Sequence, residues 1–557
     1  VHNVRNKKGD KQMKKKVSFL DIINKRIFFP PAIALVIFVF IGILFPENFG
    51  VAANAALDFV FKYFSWFLFP VALVMLGFCL WAGFSKYGNI RLGGPDAKPT
   101  MSKAVWFAIA LTSGIGVGIT FYGVYEPVLF SMTPPDFLSV APMSEAAIFS
   151  AMQFTFLHWG LHPYAIYTTA GLIIVFMFYN GKQPFRCSSA LYPLLGEKAY
   201  KGIGDAVDSL FVFAVIGGTA TSLGLAVLLI ARGLEYLYGI PSNAVSWLII
   251  LIAVAGVCIL AAITPVSKGI AFIGNANTIL YIFVLIFAFV AVDPLKVTEL
   301  LFSSIGEYFQ NFIHLSLYLE PIARTGWISA WNVFYNAWWL ACAPLVGLFF
   351  VKLAYGRTIR EFVTVNLFAP VIFSFVWFGF FGGGSIIMDK FHGGTIGTLI
   401  EKIGSDMSLY AFFAQFPFSG LMNFIALVVV ILSIITLVQA IMVAAAQMTC
   451  KSNDDTTGEV APPKISVIFW GIAMLMIAYT LLISGGISAL QTISVICGLV
   501  VAIVFCFGII AYVKSMHNLK EFDTYSNGDL SIYAKNEEIA SKVENMQVQP
   551  SACTDEN

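Results

Sequence analysis

The sequence predicts an all-α membrane protein with twelve spanning helices. Three observations predict it. The residues are 59% hydrophobic and only 11% charged, with a mean hydropathy of +0.83, where a soluble domain carries about 25% charged residues. Apolar runs near the ~20 residues needed to cross a bilayer recur along the whole 557-residue chain. Lys and Arg gather in alternate connections. The net charge of +2 carries little information, because the basic residues are so unevenly placed.

Residues 1–29 form a basic tail holding Arg5, Lys7, Lys8, Lys11, Lys14, Lys15, Lys16, Lys25 and Arg26. It lacks a small-residue cleavage site and reads as a cytosolic tail. Residues 30–102 hold two peripheral spans, 30–46 and 59–83. The stretch 103–293 holds five more, at 103–131, 146–179, 206–234, 243–263 and 269–292. Segment 294–326 is polar and aromatic by turns (Phe309, Phe312, His314, Tyr318) and reads as an extracytoplasmic interfacial helix. The stretch 327–513 holds the last five spans, 327–354, 360–382, 419–447, 464–485 and 489–513. Within it, 383–418 is Gly-rich at its start and does not span. The tail 514–557 has four Lys against eight acidic residues.

Orientation follows from the basic loops. Lys86, Arg91 and Lys98 follow span 2. Lys182, Arg186, Lys198 and Lys201 follow span 4, and Lys352, Arg357 and Arg360 follow span 8, while the loops after spans 1 and 3 have none. Both termini are then cytosolic, in keeping with an even number of spans.

The eight cysteines (79, 187, 258, 342, 450, 497, 506 and 553) are scattered, mostly in apolar runs, and form no CxxC pair. Neither a disulfide framework nor a zinc site is indicated. No Walker, GxSxG or HExxH motif occurs, so neither ATP-driven transport nor intramembrane hydrolysis is indicated, and no enzyme is expected. A channel needs a continuous polar lining, and a sensor needs a soluble output domain; the sequence shows neither.

Two spans are interrupted. Span 3 carries Gly114-Ile115-Gly116-Val117-Gly118, and span 8 carries Ala343-Pro344 just past its centre. They lie five helices apart. Matching interruptions point to an inverted-repeat transporter with its site at the breaks, the repeats being spans 3–7 and 8–12. The glycines have two readings. They permit close helix packing, or they unwind the backbone, freeing N–H groups for a carboxylate and C=O groups for Na⁺. Glu126-Pro127 closes the same span. An intramembrane Glu is a functional candidate, although here it stands near the outer end, where it shapes the helix.

Aromatic rings cluster at mid-depth in two spans. On span 8, Tyr335, Trp339 and Cys342 share one helix face, and Trp331, Phe334 and Trp338 a neighbouring one. On span 4, Trp159, Tyr164 and Tyr167 converge if Pro163 bends the helix. A trimethylammonium group has no N–H, so its charge is met by ring faces, at roughly 0.5–2 kcal/mol per contact. The other reading is packing or lipid-facing rings, since the chain is 15% aromatic throughout. His158 and His162 have i, i+4 spacing without a Cys or carboxylate partner nearby, which favours packing or hydrogen bonding within span 4 over metal. Thr219-Ala-Thr221-Ser222 on span 5 and Thr436 on span 10 are either helix–helix glue or cation lining.

These residues resemble the betaine/choline/carnitine transporter family over about 30–513. The matching stretches are GIGVGITFYGVYEP (114–127), FLHWGLHPYAIY (156–167), TATSLGLAV (219–227), WNVFYNAWWLACAP (331–344) and YGRTIREF (355–362). The resemblance implies a leucine-transporter-like fold, a homotrimer and a bacterial-type inner membrane. It implies import of a quaternary ammonium compound such as glycine betaine, carnitine or choline, with no nucleic-acid partner. The substrate ammonium would sit among Trp159, Tyr164, Tyr167 and Trp339, with Trp338 and Tyr335 adjacent. Its other end would face Gly114, Gly116 and Gly118. No cofactor is implied beyond Na⁺ as coupling ion, held by the backbone carbonyls of Thr112 and Ile115 and by the span 10 stretch containing Thr436.

The sequence departs from the family pattern at several points. Tyr164 stands where Trp is frequent, as do Asn336 and Cys342. Leu437 replaces a Ser that binds sodium in sodium-coupled members, which speaks for substrate/product exchange. The Asn275-Ala-Asn277 region lacks the basic side chain of sodium-independent exchangers, which speaks for Na⁺ symport. Gly118 is neutral where proton-coupled choline carriers can place Asp. The acidic C-terminal tail does not match the long basic helix of osmotically regulated members.

Overall fold

A computed structural model describes residues 19–112, 116–263, 267–451 and 462–533. Among them every regular element is helical, and two isolated bridges, Ile23–Cys450 and Arg91–Thr358, are the extent of β pairing. Among the described residues, ten helices are long and apolar enough to cross a membrane.

The first long helix, α1 (Lys25–Leu44), begins five residues before the predicted span, capped by the Asn24 side chain, which accepts from the Arg26 N–H. Pro30 and Pro31 lie inside it. Each removes an N–H, which leaves the carbonyls of Arg26 and Ile27 without helical partners. The Ser209 hydroxyl lies 3.0 Å from the Arg26 carbonyl and 3.4 Å from that of Ile27, so a neighbouring helix covers the deficit. The second predicted span, 59–83, is two helices, α2 (Pro46–Leu68) and α3 (Val71–Phe84), parted at Phe69-Pro70.

Span 3 is likewise in two pieces. The short α4 (Lys103–Thr112) and α5 (Val117–Met132) flank Gly116, which is extended at φ −154° and ψ 179°. Gly114 and Ile115 lie outside the described residues. Arg357 stacks on the Trp106 ring at 4.6 Å, and Lys103 pairs with Glu361 at 3.2 Å, which fastens α4 beside α13 (Ile359–Phe378).

Span 4 divides into α6 (Glu145–Trp159) and α7 (Leu161–Tyr179). The expected bend at Pro163 is a break at Gly160 instead. Gly160 has φ −106° and ψ −123°, and a Cβ there would come within 2.3 Å of the Phe156 carbonyl oxygen. Pro163 falls in the first turn of α7, where a missing N–H costs nothing.

The helices α8 (Gly202–Tyr238), α9 (Ala244–Ile263) and α10 (Ser267–Ala291) follow the predicted spans within a few residues. The segment predicted as interfacial is α11 (Pro294–Leu317), N-capped by Asp293, and it falls outside the spanning set.

The predicted break in span 8 is also displaced. Pro344 lies inside an unbroken α12 (Phe334–Ala354). Packing of α12 against α7 and the long C-terminal helix holds it in line. The irregular turn comes earlier, a π-helical turn at Ser329–Val333. A second π turn, Gly379–Gly383, joins α13 to α14 (Gly384–Phe391), so span 9 runs on past its predicted end at 382. Both π turns pack beside the C-terminal half of α5: Trp331 lies 4.7 Å from Phe130, and a Cβ at Gly382 would meet Pro127 at 2.5 Å. Single-turn π segments gather at functional sites.

After two short helices, α15 (Ile396–Ile403) and α16 (Ser408–Phe413), come α17 (Ser419–Met448) and α18 (Lys464–His517). The last is two helices meeting at Gly486 (φ 60°, ψ −133°), in the predicted gap between spans 11 and 12. Residues 519–533 fold back over the loops after α3 and α7.

Candidate functional site

A cavity of about 160 Å³ opens where the breaks of α5 and α6 meet α12. Gly116 through Ile119, Trp159, Tyr167, Trp338 and Trp339 line it, with Thr219 and Ser222 from α8. Cys342, Leu345, Val346 and Leu437 extend it along α12 and α17. No Asp, Glu, Lys, Arg or His is among the described lining residues.

The rings meet edge to face. Trp339 lies 5.5 Å from Trp159 at 82° and 5.0 Å from Tyr167 at 72°. Trp159 and Trp338 are 6.3 Å apart at 85°. Such angles set the face of one ring against the edge of the next.

Every indole N–H of these three tryptophans is spent on the protein. Trp338 donates to the Gly218 carbonyl at 3.1 Å, Trp339 to the His158 carbonyl at 3.1 Å, and Trp159 to Glu126 at 2.9 Å. The His158 carbonyl is one that the Gly160 break leaves without a helical partner, so Trp339 caps α6 and takes its orientation from doing so. With their N–H groups occupied, the indoles offer the cavity mainly carbon and π surface.

The start of α5 lines the same cavity. Gly116 is its N-cap and makes no side-chain capping bond, so the first-turn N–H groups lack a helical acceptor. That end carries the positive pole of the helix dipole. Gly118 is needed for space: a Cβ there would lie 2.8 Å from Trp159 and 3.2 Å from Trp338. Trp377 braces the same turn by donating to the Ile119 carbonyl at 2.9 Å.

Of the predicted residues, Trp159, Tyr167, Trp338, Trp339, Gly116 and Gly118 come together on the cavity wall. Tyr164 stands behind Trp339 at 5.8 Å and bonds Ser374 at 3.0 Å. Tyr335 points away from the cavity, stacking on His158 at 4.3 Å and donating to Glu126 at 2.5 Å. Thr112 ends α4. The Thr436 hydroxyl turns back on its own helix, to the carbonyls of Leu432 and Ser433.

Sequence reasoning missed four features. Glu126 is not a peripheral helix end: it is fully buried and accepts from Trp159 and Tyr335 on Oε2, with His158 Nδ1 2.6 Å from Oε1. His158 bonds across to α5 and the first π turn, through Glu126 and Asn332, not within span 4. Tyr122 is a fully buried ring 5.9 Å from Trp159 and 6.1 Å from Trp338; its position one helical turn beyond Gly118 was the available signal. A polar chain, Asn277–Ser433–Tyr281, reaches the Gly116 carbonyl at 3.4 Å. Thr221 bonds the Leu490 carbonyl and Ser494, acting as glue to α18.

Known proteins share this arrangement of sequence. A glycine betaine transporter of Bacillus subtilis, OpuD, is 33% identical over 478 residues, covering 85% of this chain and 91% of its own. A glycine betaine transporter of Acinetobacter baylyi is 32% identical over 496 residues, covering 88% and 73%. An osmo-independent choline transporter of the same species, BetT1, is 31% identical over 499 residues, covering 88% and 94%. The family described as BCCT, betaine/carnitine/choline family transporter, matches residues 26–521. The chain therefore belongs to the betaine/carnitine/choline family of transporters, and is a membrane transporter and not an enzyme.

Proposed function

We propose that the protein is a secondary transporter that imports a small quaternary-ammonium solute such as glycine betaine, carnitine or choline. The observation that carries this is the cavity wall: four aromatic rings, no charged side chain among the described lining residues, and indole N–H groups already occupied. An amine bearing N–H groups would find few acceptors there. A trimethylammonium group needs none and is held by ring faces at roughly 0.5–2 kcal/mol each. The start of α5 supplies N–H groups for a carboxylate or hydroxyl at the other end of the solute.

Alternating access fits the shape. The cavity runs from Trp159 along α12 to Leu345 and Val346, toward the end bearing Lys352. Away from that end, His158, Tyr335 and Glu126 are buried and close the way. Twelve crossings, two inverted five-helix repeats, cytosolic termini in an inner membrane and a homotrimer complete the reading by resemblance.

Coupling to Na⁺ is the favoured mode, with the carbonyls of Thr112 and Ile115 and the Thr436 stretch as its site. The lack of a basic side chain at Asn275 to Asn277 supports it. Leu437 on the cavity wall favours the second reading, substrate/product exchange. The test is uptake of radiolabelled glycine betaine, carnitine and choline into proteoliposomes. Accumulation driven by an inward Na⁺ gradient is expected. Uptake only against internal substrate would overturn symport, and no uptake of any of the three would overturn the substrate class.

A further inference from the structure

Glu126 touches no cavity surface, yet it holds the ring that forms the cavity's wall. Its Oε2 accepts from the Trp159 indole at 2.9 Å and from the Tyr335 hydroxyl at 2.5 Å. Its Oε1 lies 2.6 Å from His158 Nδ1. His158 Nε2 in turn lies 2.7 Å from Asn332 Oδ1, and its ring stacks on Tyr335 at 4.3 Å and 18°. One carboxyl group on α5 thus ties together the end of α6, the first π turn and the start of α12. Glu126 is 0% and His158 2% exposed, so the geometry is not shared with solvent.

His158 joins the two sides of the hub through both ring nitrogens, Nδ1 toward Glu126 and Nε2 toward Asn332. The other titratable groups beside the pair are Tyr122, Tyr125 and Tyr335, with His162 further along α7. The hub adds orientation behind the cavity from outside its lining.

We propose that Glu126 is a positioning residue for substrate capture. By accepting from Trp159 and Tyr335 it fixes the Trp159 ring at the angle that completes the cage, with His158 and Asn332 holding the carboxyl in place. The role is geometric: it needs two acceptor sites at this reach, not a negative charge. This rests on the cavity being the solute site.

Glutamine and aspartate separate geometry from charge. In Glu126→Gln the amide oxygen keeps both donors, and the amide N–H₂ can donate to Nδ1 of neutral His158, whose Nε2–H stays on Asn332. In Glu126→Asp the charge stays but the acceptors withdraw by one methylene. The experiment is uptake of radiolabelled glycine betaine by purified variants in proteoliposomes, reading KM and kcat separately, with thermal unfolding in detergent to establish folding. Glu126→Ala is expected to raise KM by about tenfold or more, the scale of leaving buried donors unpaired, with kcat little changed. Glu126→Asp should move the same way, and Glu126→Gln should recover most of the loss. The inference is overturned if aspartate restores KM while glutamine does not, or if alanine leaves KM unchanged. Trp339→Ala runs alongside. Loss of affinity there with an unmoved Glu126→Ala sinks only the positioning role, whereas an unmoved Trp339→Ala sinks the cage itself.

Discussion

The indole N–H of Trp339 donates to the backbone carbonyl of His158 at 3.1 Å. One bond joins the two aromatic clusters seen in the sequence, because it caps the helix that Gly160 ends and turns the Trp339 face toward Tyr167 and Trp159. Ring and cap can be separated by substitution. Trp339→Ala removes both and is expected to weaken solute binding by more than ~1 kcal/mol, the scale of a desolvated cation–π contact. Trp339→Phe keeps a ring face and loses the N–H. It should retain more of the affinity, while costing about 1–3 kcal/mol in stability for the unpaired carbonyl. Equilibrium binding of labelled glycine betaine and thermal unfolding check the two effects. Equal loss of binding in both variants would assign the effect to the N–H, not the ring.

Gly118 sets the depth of the cage. A methyl group there would sit 2.8 Å from Trp159 and 3.2 Å from Trp338, and both rings are pinned by their N–H bonds. Gly118→Ala must therefore displace Trp159 or shift the first turn of α5. Overpacking of this kind costs ~1–3 kcal/mol. Solute affinity should fall by about tenfold for each ~1.4 kcal/mol lost from binding. A binding isotherm unchanged by Gly118→Ala would show that the ring moves freely.

How far the site could be read from sequence follows from the kind of contact involved. Trp159, Tyr167, Trp338 and Trp339 were legible because ring clusters at mid-span are rare and their helical spacing brings them to one side. The Gly116 break was legible because GxGxG weakens a helix. The break in span 4 was misplaced by three residues because Pro163 is the louder signal, although a proline in a first turn is harmless and Gly160 takes the non-helical backbone. The π turns at Ser329–Val333 and Gly379–Gly383 left no reliable mark in the periodicity. Glu126 was underrated because its partners come from 32, 33 and 209 residues away, and nothing local to Glu126-Pro127 announces them.

Ser209 answers the proline pair of α1. Its hydroxyl also lies 2.8 Å from the Asp205 carbonyl of its own helix, so one proton is shared among three carbonyls. Ser209→Ala leaves the two carbonyls freed by Pro30 and Pro31 without this donor. A loss of about 1 kcal/mol is expected, read as a lower Tm in detergent, with KM for the solute unchanged because α1 does not line the cavity. Ser209→Ala combined with Pro30→Ala and Pro31→Ala should lose less than Ser209→Ala alone, since the helix then supplies its own N–H groups. A double-mutant cycle without coupling would refute the pairing.

Asn180 is the anchor of the C-terminal strap. It is fully buried at the end of α7. Its Oδ1 accepts from the Gly93 N–H at 3.1 Å, and its Nδ2 reaches the Arg91 carbonyl and Asp523 Oδ1, both at 3.2 Å. Its backbone carbonyl accepts from the Thr524 N–H at 3.0 Å, and Tyr533 closes the loop by donating to Asp523 Oδ2 at 2.7 Å. Asn180→Ala is expected to cost ~1–3 kcal/mol and to raise hydrogen exchange across 519–533 while leaving the α5–α12 contacts protected. The same strap should respond to alkali. Burial first, then its bond to Asp523, holds the Tyr533 phenol above the ordinary tyrosine range. A raised phenol favours the protonated form in the folded state. Its contribution is therefore complete below the unfolded value near ~10 and is lost as pH rises above it. Exchange of 519–533 should accelerate above pH ~10 beyond the intrinsic base-catalysed rate, and Tyr533→Phe should abolish that extra step. If the step survives Tyr533→Phe, the strap's alkaline release belongs to another group.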